Sequence, residues 1–177
     1  VALGAGAAAA QVPVDLELVL AADGSGSIDD QELRLQREGY AAAITHPDVL
    51  ASIAAGSTGR IALAYVEWGG ADSQHTIVDW KLVDGPESAA AFAEELRTRP
   101  RAARGWNSIS GAIDYSASLI RSNDFEGERK VIDVSGDGPQ RGGRPVEVAR
   151  DEAVLDGITI NALVLSSPGG GYLGPGG

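Results

Sequence analysis

The sequence predicts an α/β domain built on a doubly wound, mostly parallel sheet with one antiparallel edge strand and helices on both faces. Three observations lead there. Apolar runs of strand length alternate along the chain with amphipathic runs of helical period. Two of the apolar runs are separated only by residues 69–74, too few for a parallel crossover, so one hairpin interrupts the alternation. The chain has 177 residues, 44% hydrophobic and 22% charged, which suits one soluble domain with a real core.

The first apolar run, residues 14–22 (VDLELVLAA), reads as a strand and runs into Asp23-Gly24-Ser25-Gly26-Ser27. A helix follows, with Leu33, Tyr40 and Ile44 at helical spacing and Asp29 and Asp30 at its positive end. His46-Pro47 stops it, because the residue before proline avoids the helical region. The run between Gly59 and Gly69 is mostly apolar and suits a central strand, whereas residues 75–83 alternate and suit an edge. Pro86 opens a helix with Ala89, Phe92, Ala93 and Leu96 on one face, ending near Pro100. The basic linker RPRAARG is expected to be solvated. Ile109, Ala112, Ile113, Ser116 and Ile120 form the next helical stripe, so Asn107 and Ser108 lie at or just before its first turn. Residues 130–135 read as a strand leading to an acidic loop at Asp137; a helix closed by Gly157 and a last buried strand, ITINALVL, complete the pattern. The division expected is a tail over 1–13, a domain over 14–165 and a Gly/Pro-rich tail over 166–177.

Net charge is −11, which speaks against sequence-independent nucleic-acid binding and is compatible with collecting cations or meeting a basic partner. The absence of cysteine excludes disulfide frameworks, zinc knuckles and thiol catalysis. The opening VALGAGAAAA looks like the end of a signal-peptide apolar region, so a periplasmic or otherwise exported protein is expected. It is too short to span a bilayer, which needs about 20 apolar residues.

Three oxygen-rich segments, Asp23 to Ser27, Asn107 to Ser110 and Ser135 to Asp137, fall after strands or at helix starts on what should be one sheet edge. Ligands of α/β sheets bind outside the carboxyl ends of the strands. Carboxylate and hydroxyl oxygens gathered there suit a hard cation such as Mg²⁺. The alternative for Asp23 and the serines is that they only cap the following helix. No serine carries the glycines of a nucleophile elbow, no phosphate-loop GKS or GKT occurs, and His46 and His75 read as surface residues. The enzymatic alternative is Mg²⁺-dependent phosphoryl transfer through Asp23, although Ser25 stands where such a site needs a second aspartate. Trp68 and Trp80 read as core or edge cover. Glu67 and Asp133, inside apolar runs, need partners, with Arg104 or Arg129 as candidates; Glu67 could instead approach a metal through its bound water.

Together these segments resemble the metal-ion-dependent adhesion site of von Willebrand factor A-like domains. The D-x-S-x-S motif is matched by Asp23, Ser25 and Ser27, and the Asp-Gly pair after a buried strand by Asp137-Gly138. Asn107 stands where the family places a threonine, six residues before Ile113. LQREGYAAAI, AYVEWGG, NSISGAIDYS and EGERKVIDVSGDGP are similar to a bacterial branch described only as a domain of unknown function. The resemblance implies a Mg²⁺ or Mn²⁺ held by Ser25, Ser27, Asp23, Asp137 and residue 107, with one position open to a partner's Asp or Glu. It implies adhesion without bond breaking. Asn107, longer than threonine, implies weaker metal affinity. A further alternative is a structural subunit of a larger complex, with a vestigial site and the two low-complexity ends as docking arms.

Overall fold

The computed structural model describes residues 10–165. The strands are β1 (Val12–Asp23), β2 (Ile61–Trp68), β3 (Gln74–Val83), β4 (Phe125–Gly136) and β5 (Ile158–Val164). The helices are α1 (Asp30–Ile44), α2 (Pro47–Ala54), α3 (Pro86–Thr98), α4 (Ile109–Arg121) and α5 (Val146–Leu155). One sheet has the order β3-β2-β1-β4-β5. All neighbours are parallel except β2 and β3, the short-linked hairpin.

The period of two in β1 sorts its side chains onto two cores. Leu20 and Ala22 pack with Ala41, Ile44, Leu63, Phe92 and Leu96 beneath α1, α2 and α3. Val19 and Ala21 pack on the opposite face with Trp68, Ile113, Ile132 and Ala153 beneath α4 and α5. β2 is buried at every residue, as a mostly apolar run between two neighbours requires, and its one charged residue is Glu67. The apolar stripe of α3 is the one its spacing predicts: Ala89, Phe92, Ala93 and Leu96 are all buried.

The structure corrects several expectations. Pro47 does more than end α1: it opens α2, with His46 as the cap accepting from the Asp48 amide. β1 starts at Val12 rather than at residue 14. β4 starts at Phe125, because the polar run FEGER pairs with the beginning of β1 from Val12↔Phe125 onward. Backbone pairing forms this half of the strand, and no apolar period marks it. β5 is not buried: only Ile158 is, and Leu163 and Val164 are 60% and 81% exposed, because β5 lies at the sheet edge with only β4 beside it. Residues 1–9 and 166–177, the bulk of the expected tails, lie outside the described residues.

Carboxylates within the strands find partners in the fold. Glu17, fully buried, accepts from the Gly127 amide at 2.8 Å and from Asn123 Nδ2 at 2.6 Å. Asp133 is met by Asn161 Nδ2 at 2.7 Å, not by an arginine. At the opposite end of the sheet from Asp23, Asp15 accepts from the Thr58 amide at 2.7 Å, Ser57 Oγ at 2.7 Å and the Arg60 amide at 3.2 Å. Those hydrogen bonds, the Thr58 amide first, lower its carboxyl from an ordinary 3.8 to about 2. A depressed carboxylate contributes stability that is complete above its unfolded value and lost as pH falls through its folded value. Asp15→Asn is therefore expected to remove the part of acid destabilisation that falls between pH 3.8 and about 2. Thermal melts of the two proteins across that window check it, and parallel pH profiles would count against it.

Candidate metal centre

The chain leaves β1 for β2 on one side and reaches β4 on the other, so the carboxyl ends of β1 and β4 border the crevice where the winding reverses. Asp23 ends β1 and Asp137 follows the last residue of β4. The cap of α1 is Asp29, whose carboxylate accepts from the Gln31 and Glu32 amides at 2.7 and 2.8 Å while Glu32 Oε2 accepts from the Asp29 amide at 2.9 Å. The oxygens of Asp23, Ser25 and Ser27 are thus not used as the helix cap, which removes the bland explanation for the motif.

The five residues singled out by sequence meet in one cluster. Ser25 Oγ and Ser27 Oγ are 3.0 Å apart, and Ser27 Oγ donates to Asp137 Oδ1 at 2.9 Å. Asn107 Nδ2 lies 3.4 Å from both Asp23 Oδ2 and Asp137 Oδ1. The Ser25 amide donates to Asp23 Oδ1 at 2.8 Å and the Asp137 amide to Asp23 Oδ2 at 3.3 Å. Asp23, Ser25 and Asn107 are buried and form the floor, whereas Ser27 and Asp137 are exposed and form the open side. Burial pushes the Asp23 carboxyl above the usual carboxylate range, the Asp137 charge adding to it and the Ser25 hydrogen bonds opposing it.

This donor set suits a hard cation. Adjacent oxygens of an octahedral shell at Mg²⁺–O distances of about 2.1 Å lie about 3.0 Å apart, close to the Ser25–Ser27 and Ser27–Asp137 spacings of 3.0 and 2.9 Å. Among the described residues no group of three or more His, Cys, Asp or Glu could hold a metal, so the set is two carboxylates, two hydroxyls and an amide. Turning the Asn107 amide about its terminal bond would exchange its nitrogen for its oxygen and present an oxygen donor to the cluster.

Residues outside the motif hold the loops in place. Arg101, in the linker expected to be solvated, donates through Nη2 to the carbonyls of Gly24 and Ser25, both at 2.8 Å. Its Nη1 meets Asp30 at 3.1 Å. Glu67 pairs with Arg37, not with Arg104 or Arg129: Arg37 Nε and Nη2 donate to Glu67 Oε1 at 2.9 and 2.5 Å. Arg37 also donates to the carbonyls of Leu96, Arg99 and Pro100, and Glu67 Oε2 accepts from the Ala102 amide at 3.2 Å. The pair therefore ties α1 and β2 to the segment that leads to Asn107. Two glycines permit the close approach this requires: a Cβ at Gly24 would lie 2.9 Å from that of Ala103, and one at Gly69 2.2 Å from the Arg104 carbonyl oxygen. Gln140 stitches the loop after Asp137 to α4 through Ser110 Oγ at 2.7 Å and the Ser110 amide at 3.1 Å. Arg37, Arg101 and Gln140 carry no motif, and only Arg37 had a signal, as a cation on the otherwise apolar face of α1 that Leu33, Ala41 and Ile44 define.

The sheet order, the one antiparallel edge strand and the two helical layers define an α/β domain of the von Willebrand factor A-like class. The chain belongs to the family described as "Protein of unknown function (DUF1194)", matched over residues 13–171. No curated protein matches it. Among solved structures, proximal thread matrix protein 1 from the mussel byssus, with a zinc-occupied MIDAS motif, is 15% identical at a TM-score of 0.66, covering 90% of this chain and 40% of that one. The pilus adhesin SpaC from Lactobacillus rhamnosus GG is 12% identical at 0.62, over 86% and 24%. A von Willebrand factor type A structure from Catenulispora acidiphila is 15% identical at 0.57, over 84% and 33%. The chain thus spans less than half the length of each of these proteins.

Proposed function

We propose that the chain is an exported interaction domain that binds Mg²⁺ or Mn²⁺ through Ser25, Ser27, Asp23, Asp137 and Asn107 and uses the ion to hold a carboxylate of a protein partner. The observation that carries this reading is the meeting of oxygen donors from three separate segments at the ends of β1 and β4, with Ser27 and Asp137 on the open side. Bound there, the ion would act as an electrophile toward an incoming Asp or Glu. The protein residues keep it in place and leave that side accessible. The domain proper is residues 14–165, extended at its start to Val12. Export is supported by the Ala-rich opening of the sequence and by the pilus and byssus proteins that share the fold. Among the described residues no helix is long and apolar enough to cross a membrane. The chemistry requires no bond to be made or broken, and Ser25 leaves Asp23 without the second aspartate that phosphoryl transfer would use.

One observation favours a second reading, a structural subunit with a vestigial site: the Asn107 amide lies within reach of both carboxylates and can neutralise them partly where a cation would. A single substitution separates the two. Asn107→Thr is expected to tighten Mn²⁺ binding roughly tenfold, about 1.4 kcal/mol, by exchanging an amide that competes for the carboxylates for a short hydroxyl ligand. The readout is water-proton relaxation on titrating Mn²⁺ into the protein, followed by acetate, which should displace water from the open position and reduce the enhancement. No relaxation enhancement in either protein would favour the vestigial reading, and enhancement indifferent to acetate would exclude a carboxylate-accepting ion.

A further inference from the structure

The chain is acidic overall, yet two of the segments that border the candidate metal centre are rich in arginine. Residues 99–106 and 138–145 contain Arg99, Arg101, Arg104, Arg141 and Arg144 and no carboxylate, in a chain whose Lys and Arg number 14 against 25 Asp and Glu. Three of these arginines are engaged within the fold: Arg99 with Glu95, Arg101 with Asp30, and Arg144 with Asp114 and Glu152. Arg104 and Arg141 are not. Both are exposed, and neither side chain has a hydrogen bond or ion pair among the described residues. Their backbones are fixed at the site: the Arg141 amide donates to the Asn107 carbonyl at 2.7 Å, and the Arg104 carbonyl accepts from the Gly70 amide at 2.7 Å.

Between Arg104 and Asn107 stands Trp106, 78% exposed and the only aromatic among the large exposed hydrophobic residues described. The Gly105 carbonyl accepts from the Gly26 amide at 2.9 Å, which anchors the base of this tryptophan to the Asp23–Ser27 loop. An exposed indole on a segment whose backbone is fixed at the site, with two unpaired arginines on the same segment and on the loop bonded to Asn107, has the composition of a binding anchor, since Trp and Arg are the residues that dominate interface energetics.

We propose that this rim selects an acidic polypeptide segment, in which one carboxylate reaches the metal, further carboxylates meet Arg104 and Arg141, and an apolar residue packs on Trp106. The inference rests on the reading of the site as a carboxylate-accepting ion. It goes beyond that reading in naming a partner rich in Asp and Glu and the residues that choose it. Charge complementarity is the physical basis: among the described residues the exposed aromatic Trp106 shares its segment with an unpaired arginine, so an acidic partner, disfavoured by the net charge of the chain, is steered here. The net charge of −11 disfavours a nucleic acid, whose long charged backbone would extend beyond the rim.

The test uses the full chain and a fluorescein-labelled peptide of alternating Glu and Pro, with a Gln and Pro peptide as its uncharged counterpart, read by fluorescence anisotropy in Mg²⁺. The Glu peptide is expected to bind saturably and more weakly as salt rises, and the Gln peptide to bind at least about tenfold more weakly. Arg104→Glu with Arg141→Glu, and separately Trp106→Ala, are each expected to weaken the Glu peptide about tenfold or more. Calorimetric Mg²⁺ titration of the same variants should show saturable binding no weaker than the parent's, because these side chains touch no proposed ligand and the added carboxylates favour a cation. Equal affinity for both peptides, indifference to the arginine reversals, or tighter capture of a polysulfated polysaccharide than of the Glu peptide would each overturn the proposal. Absence of peptide binding beside normal Mg²⁺ titration would overturn it and leave the metal reading standing. Arginine-dependent peptide binding that persists in EDTA would sustain the basic rim and overturn the metal reading.

Discussion

Asp23→Asn is expected to abolish saturable Mg²⁺ binding and, in EDTA, to raise the melting temperature by a few degrees. Both effects have one cause. Asp23 is fully buried, and burial is what lifts its carboxyl above the ordinary range. A carboxyl whose folded value is raised contributes stability that is complete below its unfolded value and is lost as pH rises through the folded one. Ionisation of Asp23 in the metal-free protein is therefore a cost to folding, present once pH has risen through the folded value. Asparagine removes that charge and can still accept from the Ser25 amide through its side-chain oxygen. A cation bound only to the folded state offsets the same cost in the parent, in proportion to RT ln(1 + [L]/Kd). The parent should thus gain melting temperature with added Mg²⁺, the more so as pH rises through the folded value of Asp23, and the variant should gain none. An Asp23→Asn protein that is less stable than the parent in EDTA would show that the carboxylate is structural.

Arg37→Met is expected to destabilise the domain by about 3–5 kcal/mol, because it leaves a carboxylate buried without its countercharge. Glu67 is wholly buried and Arg37 nearly so, and the arginine also satisfies the carbonyls of Leu96, Arg99 and Pro100. For a domain of this length the loss corresponds to a fall in melting temperature on the order of 10 °C. Arg37→Met combined with Glu67→Met should recover part of it, since removing both charges avoids the uncompensated one. The recovery should be incomplete, because three backbone carbonyls still lose their donor. Mg²⁺ affinity should fall in the single variant as well, since the segment released from Arg37 leads to Asn107. Urea denaturation of the parent, both singles and the double variant measures the cycle. Equal losses in the single and double variants would mean that the ion pair adds nothing beyond packing.

Much of the fold was legible in the sequence because its signals are local and periodic. The apolar stripe of α3, the mostly apolar β2 and the short link to β3 each translate directly into a helix face, a central strand and a hairpin. Elements formed by pairing rather than by period were not legible. The first half of β4 is polar and is a strand only because β1 lies beside it. β5 is as apolar as a central strand but lies at an edge, and one-dimensional pattern does not encode which neighbours a strand receives. Asp23, Ser25, Ser27, Asn107 and Asp137 were found because motif spacing and strand ends place them, and the structure does bring them together. Their supports were missed for a physical reason: Arg101 works through backbone carbonyls of the Asp23–Ser27 loop, and such contacts leave no trace in residue type. A run of arginines reads as solvated whether or not a loop folds back onto it.

The account depends on a cation occupying the cluster at the ends of β1 and β4, and calorimetric titration of Mg²⁺ into the purified chain at neutral pH tests that directly, with Asp23→Asn titrated in parallel. A single saturable isotherm for the parent, with Kd of about millimolar or tighter, and a flat trace for Asp23→Asn is the result predicted. Heats that fail to saturate at millimolar Mg²⁺ and Mn²⁺, or an isotherm that survives Asp23→Asn, would contradict it.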